Sequence, residues 1–285
     1  MKKMCVVGLL AAMFVMTVMW QPALAEDKAK PITIKCSHAF SPKMGSTLLW
    51  MRWADLITKQ TEGRIVFQWF HGGAMSKPGE DQEHCRKGVV QMVGTSATWY
   101  PYMALWEMNG ALPFQPDDTL LAVKTKWQLY QEFPELRKEI EQNNMRLMFI
   151  APYGDYHIIS RKKTAILDDL KGQKVAILGQ QQPKWFQGTG ATPIYIPGPA
   201  RYEALEKGVV DASLMGGLGT TFSFRSQEMC KHMLLAGLGQ YCSFFMTMNQ
   251  DTWNKISPQD QKMIEGLNQK MMFEWFPKQV NDDEV

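Results

Sequence analysis

Alternation of apolar and polar positions at Ile65, Phe67 and Trp69 marks Arg64 to Phe70 as a half-buried strand. The β-branched Ile32, Thr33 and Ile34 predict an earlier strand over Ile32 to Ser37. Between them, apolar residues recur at helical spacing from Ser46 to Thr61 (Leu48, Leu49, Met51, Trp53, Ala54, Leu56, Ile57), and Gly63 ends the helix. Gly72-Gly73 breaks the chain again. Glu80 to Gly88 then reads as a helix and Val89 to Gly94 as a short buried strand. Strands alternating with helices imply a parallel sheet with right-handed crossovers.

Trp99 to Trp106 mixes aromatic and polar residues and predicts irregular structure, closed by Leu112-Pro113-Phe114. Asp118 to Phe133 reads as a helix capped by Asp117 or Asp118. Pro134 to Asn143 begins another helix, and Met145 to Ala151 a strand. Ile158 to Ser160 opens a second strand-rich region, with Arg161-Lys162-Lys163 as a solvated turn. The run from Asp168 to Asp211 reads as turn, strand, helix, strand, helix and a final strand approach. Gly216, Gly217 and Gly219 lead to a helical segment, followed by strands at Met233 to Leu238 and Phe244 to Asn249. Ser257 caps a last helix with Pro258 at its first position. The expected architecture is α/β with two lobes: 26–151 plus 243–285, and 152–242. The chain crosses between them near 151–159 and 238–245, which suits hinge closure on a ligand.

Lys2 and Lys3, the apolar stretch Val6 to Trp20 and Ala23-Leu24-Ala25 read as a secretory signal peptide over residues 1–25, with Glu26 as the first mature residue. The apolar stretch is short for a bilayer span, which takes roughly 20 residues. Cys5 lies away from the cleavage site, so its position does not imply lipid anchoring. Of the 31 basic residues two lie in this leader and none of the 28 acidic ones does, so the mature charge is 29 minus 28, or +1. Such a balance argues against nucleic acid or an anionic membrane as partner.

The remaining cysteines, Cys36, Cys85, Cys230 and Cys242, match no zinc spacing. They read either as buried thiols or as holding a bridge, for which Cys230–Cys242 is the choice. An enzyme lacks support: no Gly-x-Ser-x-Gly, phosphate loop or His-Glu-x-x-His is present. Val175-Ala176-Ile177-Leu178-Gly179 opens like a dinucleotide-binding strand, but Gln180-Gln181-Gln182-Pro183 lacks the glycines that follow there. No metal or organic cofactor is implied.

Several phrases occur in a fixed order: Thr61-Glu62-Gly63-Arg64-Ile65, Gly72-Gly73, Gly88-Val89-Val90-Gln91-Met92, Leu112-Pro113-Phe114, Asp169-Leu170-Lys171-Gly172, Gly208-Val209-Val210-Asp211 and Ser257-Pro258-Gln259-Asp260-Gln261. In this order the chain resembles the periplasmic substrate-binding proteins of TRAP transporters, the DctP type. The resemblance implies a two-lobed periplasmic binding protein clamshell with hinge crossings and sheets flanked by helices. It also implies a monomer in the periplasm that captures a small organic ligand between its lobes and delivers it to TRAP membrane permease subunits. A ligand-sensing module serving a receptor is the alternative. Family members commonly continue through further helices, so a truncated chain with impaired binding is a further expectation.

The chain departs from the resemblance at three polar positions. Where the family commonly carries an arginine two residues after the strand lysine, this chain has Ala176. Where a second ligand-facing arginine precedes Arg161, the nearest residue is Asp155, and Leu214-Met215-Gly216 replaces Glu-Asn-Pro. Losing a bidentate arginine disfavours a buried carboxylate. The expected ligand is therefore a less polar, aromatic compound, or an acid held by other groups. Candidate ligand-binding residues are Trp99, Tyr100, Tyr102, Tyr153, Trp185, Phe186 and Met215, the polar His38, His157 and Arg225, and the altered position Ala176. In a chain with 10 Trp and 21 Met, core packing competes for every apolar residue named.

Overall fold

A computed structural model of the chain describes residues 30–110, 112–240 and 244–284. The expected signal peptide over 1–25 lies outside the described residues. The first region begins with β1 (Ile32–His38), α1 (Gly45–Gln60), β2 (Ile65–Phe70), α2 (Asp81–Arg86) and β3 (Met92–Ser96). β1 pairs in parallel with both β2 and β3. Helix α1 lies on this sheet through buried Trp50, Trp53, Ala54 and Ile57; Trp53, Ala54 and Ile57 are among the positions its spacing predicts, whereas Trp50 is not and the expected Leu48 is exposed. A fully buried side chain the size of Ile57 contributes roughly 1.5–3 kcal/mol on burial.

The segment read as irregular after Trp99 holds a helix, α3 (Ala104–Gly110), and then come α4 (Thr119–Glu132), α5 (Pro134–Glu141) and β4 (Met145–Ala151). Asp118 caps α4 by accepting from Leu121 N at 2.7 Å. Short strands β5 (Tyr156–Ser160), β6 (Lys174–Ile177) and β7 (Thr192–Tyr195) follow. The helix expected between β6 and β7 is only a 3-10 turn over Gln182–Phe186, because Pro183, Gly188 and Gly190 stop anything longer. Next come α6 (Arg201–Glu206), β8 (Ala212–Gly216), α7 (Gly217–Ser223) and β9 (His232–Leu234).

Strand β10 (Phe244–Asn249) returns to the first sheet, whose order is β2-β1-β3-β10-β4. β10 runs antiparallel to both β3 and β4, so the sheet is mixed and not all parallel. All six residues of β10 are buried, and a fully buried strand looks the same in sequence whichever way it runs. The second sheet, β7-β6-β8-β5-β9, is also mixed. Its faces carry separate apolar clusters: Ile158, Val175 and Ile177 on one, Ile159, Ala176 and Met215 on the other. That split follows from the two-residue period of a strand.

Two connectors join the sheets, and they pair with each other through an antiparallel bridge at Asp155 and Gln240. Tyr156 N donates to Gly239 O at 3.1 Å. Gly239 has φ +78°, and a Cβ there would overlap the backbone of Gln115, so the position admits only glycine. The chain ends in α8 (Gln250–Trp253), α9 (Pro258–Lys270), a π turn at Met271–Trp275 and α10 (Phe276–Glu284). Ser257 Oγ caps α9 by accepting from Asp260 N at 3.1 Å. Trp53 Nε1 donates to Asn268 Oδ1 at 3.0 Å and ties α1 to α9.

Candidate functional site

β1, β3 and β4 run in one direction and β10 in the other. The residues just past β1, β3 and β4, and those opening β10, therefore share one edge. From that edge come Phe40, Trp99, Tyr153 and Phe244. In the second sheet β6, β7 and β8 are parallel and β5 is antiparallel. By the same logic Leu178, Gly198, Gly216 and Tyr156 gather at its carboxyl edge. The two edges face one another across a cleft of about 500 Å³, counting the space at its open mouth. Ligands of α/β sheets bind at such carboxyl edges, where strand ends turn side chains and loop backbone toward one point.

The first-sheet wall is a set of packed rings. Tyr153 lies 4.5 Å from Phe244 and 5.5 Å from Phe40 between centroids, and Trp99 meets Phe244 edge-on at 5.7 Å. Phe40 also reaches across to Phe224 at 6.3 Å, so the walls are in contact. Behind Phe40 lies a histidine pair. Phe40 N donates to His38 Nδ1 at 3.1 Å, which assigns the proton to Nε2, and that nitrogen faces His71 Nδ1 at 2.9 Å. Burial, and then the neighbouring His71, lower the His38 pKa to about 3.

The second wall carries Arg201, which is 2% exposed. Helix α6 starts there after Gly198-Pro199-Ala200 and aims this residue back onto the sheet. Its Nε donates to Ile196 O at 3.0 Å and its Nη1 to Ser213 Oγ at 3.1 Å. Nη1 also donates to Leu214 O and lies 3.3 Å from Met215 Sδ. These bonds fix the plane of a buried cation beside the cleft.

A further contact spans the two halves. Glu107, buried on α3, accepts from Gln180 N at 2.5 Å and Gln181 N at 3.2 Å through one carboxylate oxygen. Gly179 has φ +63°, and a Cβ there would overlap that oxygen. The carboxylate therefore clasps a loop of the second half that only glycine lets come so close.

Residues 37–284 match the family of bacterial extracellular solute-binding proteins, family 7, known as DctP. The chain belongs to this family. Family 7 proteins bind small-molecule solutes outside the cytoplasm and work with TRAP permeases. Among the described residues no helix is long and apolar enough to cross a membrane.

Solved TRAP periplasmic solute-binding proteins share the fold. One from Bordetella bronchiseptica, with bound (R)- and (S)-mandelate, is 23% identical with a TM-score of 0.79, covering 89% of this chain and 80% of that one. A marine metagenome protein described as specific for aromatic acid ligands, in complex with 3-hydroxybenzoate, is 20% identical with a TM-score of 0.81, covering 90% and 81%. One from Pseudomonas aeruginosa with bound L-malate is 18% identical with a TM-score of 0.77, covering 89% and 87%.

In this family 7 chain the cleft brings together Trp99, Tyr153 and Met215 of the residues named from sequence. The others lie elsewhere. His38 sits behind the wall, held by Phe40 and His71. The Tyr100 hydroxyl turns away to Gln82 and Thr95, and that of Tyr102 to Gln82. His157 alternates with cleft-lining Tyr156 along β5, so it points to the opposite face and meets Thr221 Oγ1 at 2.8 Å. Trp185 packs edge-on behind Tyr156 at 5.6 Å, and Phe186 joins the same apolar cluster. Arg225 is exposed, paired with Glu228 and stacked over Tyr202. Ala176 is buried beneath α6.

Phe40, Phe224, Phe244 and Arg201 were not among the sequence candidates. Arg201 lines the cleft from the start of a helix and not from the strand position held by Ala176. The signal for it was present: Pro197-Gly198-Pro199 after a strand marks a carboxyl-edge turn, and Arg201 opens the next helix. Among the described residues Cys36, Cys85 and Cys230 are free buried thiols; Cys242, the partner expected for Cys230, lies outside the described residues.

Proposed function

We infer that this family 7 protein captures a small organic acid between its two sheets in the periplasm and, as a monomer, delivers it to TRAP membrane permease subunits. It acts by binding and release, with no chemical step. The observation that carries this reading is the cleft walled by the carboxyl edges of both sheets. The elements of the first sheet, within 31–151 and 244–284, make one lobe and those of the second, within 152–240, the other, so a ligand in the cleft touches both and favours the closed state. The neighbours that hold mandelate, 3-hydroxybenzoate and L-malate support an organic acid as the solute.

A thermal-shift screen of the purified chain against organic acids, aromatic acids and neutral polyols tests the reading. A ligand present at about 100 times its Kd adds about 2.7 kcal/mol of stability. Acids are expected to raise the melting temperature, and stabilisation by polyols alone would remove the organic-acid reading.

A further inference from the structure

Two side chains that line the cleft hold hydrogen-bonding capacity that the fold leaves unused. The first is Trp99, in the first-sheet wall, whose indole Nε1 is buried and has no hydrogen-bond partner. An indole nitrogen is a donor only. The ring is fixed by its own 3-10 turn, in which Ser96 Oγ accepts from Thr98 N at 3.3 Å and Ala97 O from Tyr100 N at 3.0 Å. Gly179 of the second half lies against this turn, since a Cβ there would come within 3.2 Å of Thr98 Cβ. The donor therefore sits where the two halves meet. The Tyr153 hydroxyl, by contrast, neighbours Ser46 in a separate hollow lined by Met44, Gly217 and Val280.

The second is Thr220, in the facing wall on α7 and 6% exposed. Its hydroxyl donates to Gly217 O at 3.1 Å and to Gly216 O, both at the start of its own helix. With the proton committed to the backbone, the oxygen can only accept from a ligand. A donor on one wall and an acceptor on the other call for a group that accepts from the first and donates to the second. A hydroxyl does both through one oxygen. A hydrogen in its place leaves the indole N–H buried and unpaired, which costs about tenfold in affinity. The rings of Phe40, Trp99 and Phe244 suit a flat apolar body. We propose that Trp99 Nε1 and Thr220 Oγ1 together hold a hydroxyl of the ligand, and that they select hydroxylated organic acids with an aromatic or apolar body over their deoxy counterparts. Because the pair draws on both walls, the hydroxyl is bonded twice only in the closed state, which it thereby favours. This rests on the organic-acid reading above and names the class and its determinants within it.

The test is calorimetric titration of the purified chain, of Trp99→Phe and of Thr220→Val with two pairs of acids: 3-hydroxybenzoate against benzoate, and mandelate against phenylacetate. The wild-type chain is expected to bind at least one hydroxy acid about tenfold or more tighter than its deoxy counterpart. In each variant that hydroxy acid loses about tenfold in affinity while the deoxy acid changes by no more than about threefold, so the preference disappears. A folded variant that keeps the preference within about threefold overturns the role of the residue replaced and leaves the organic-acid reading standing. Deoxy acids bound as tightly by the wild-type chain overturn the hydroxyl selectivity alone. A wild-type chain that binds none of the four acids overturns the proposal, and the thermal-shift screen then decides the organic-acid reading by itself. Should circular dichroism find Trp99→Phe unfolded, the wild-type chain decides by nitrogen NMR. The Trp99 indole N–H signal, assigned through its own backbone, must move further with the hydroxy acid than with the deoxy acid. Equal shifts at saturation overturn the proposal.

Discussion

The wall built by the first sheet is four rings joined through Phe244, continuous with an apolar core that runs from Ile34 through Trp53 and Phe149 to Phe276. The wall built by the second sheet mixes Tyr156, Leu178 and Phe224 with Gly198, Pro199, Gly216, Met215 and Arg201, and is backed by two smaller clusters that the sheet keeps apart. Aromatic side chains have few rotamers, and in a close-packed core they cannot shift singly. The first wall is therefore a platform whose shape is also the stability of the fold. The second is where small changes alter what is bound and cost the core little. The contrast explains how Ala176 can stand where a strand arginine was expected while a cation still reaches the cleft from α6.

The comparison is broken most strongly at the platform. Phe244→Ala removes a ring that touches Phe40, Trp99 and Tyr153, and is expected to cost about 3–5 kcal/mol in urea unfolding. A loss under about 1 kcal/mol would mean that the rings are independent of the core.

Behind the same wall, His38 couples stability to pH. Its folded pKa of about 3 lies below the ordinary 6.5, so the unfolded chain takes up the proton first and stability is lost as pH falls below about 6.5. The slope is about 1.4 kcal/mol per pH unit. Burial pushes the Asp81 carboxyl up to about 7, which gives a slope of opposite sign between pH 4 and 7. The two oppose one another in the native chain, and the buried His157 and half-buried His71, also held below 6.5, add to the His38 side. In His38→Gln the His38 contribution is removed, so stability should fall less steeply than in the native chain, or rise, as pH is lowered from 6 to 5. Parallel stability curves for the two chains over that interval would exclude His38 as the source.

The smallest effect concerns the contact between the halves. Glu107→Gln replaces a carboxylate by an amide at the Gln180 and Gln181 backbone donors. A charge-assisted bond is about twice as strong as a neutral one, so ligand affinity should fall roughly tenfold as the closed state loses its clasp. An affinity within twofold of the native chain would show closure to be independent of Glu107.

Much of the fold is legible in the sequence because it rests on local signals. β4 and β10 fall at the residues their apolar runs mark, and Asp118 and Ser257 cap the helices they precede. Strand direction is not local, and β10 is antiparallel because of where the chain has been, not because of its composition. The strand read over Met233 to Leu238 ends at Leu234, because the following residues form the connector that must bend between the sheets. The cleft was legible by half. Trp99 and Tyr153 follow strand ends and Met215 is the last residue but one of β8, where lining residues gather, whereas Tyr100 and His157 each neighbour a lining residue and face elsewhere. A shift of one residue reverses the direction of a side chain, and composition cannot resolve it.

The bridge between Asp155 and Gln240 has a mechanical consequence. Tied at this bridge, the two connectors must move together when the sheets open or close, so the angle between the sheets is the natural measure of that motion. Each solute would hold that angle at a value set by its own thickness, so a pair of distance labels, one on each sheet, would read the bound compound as a length.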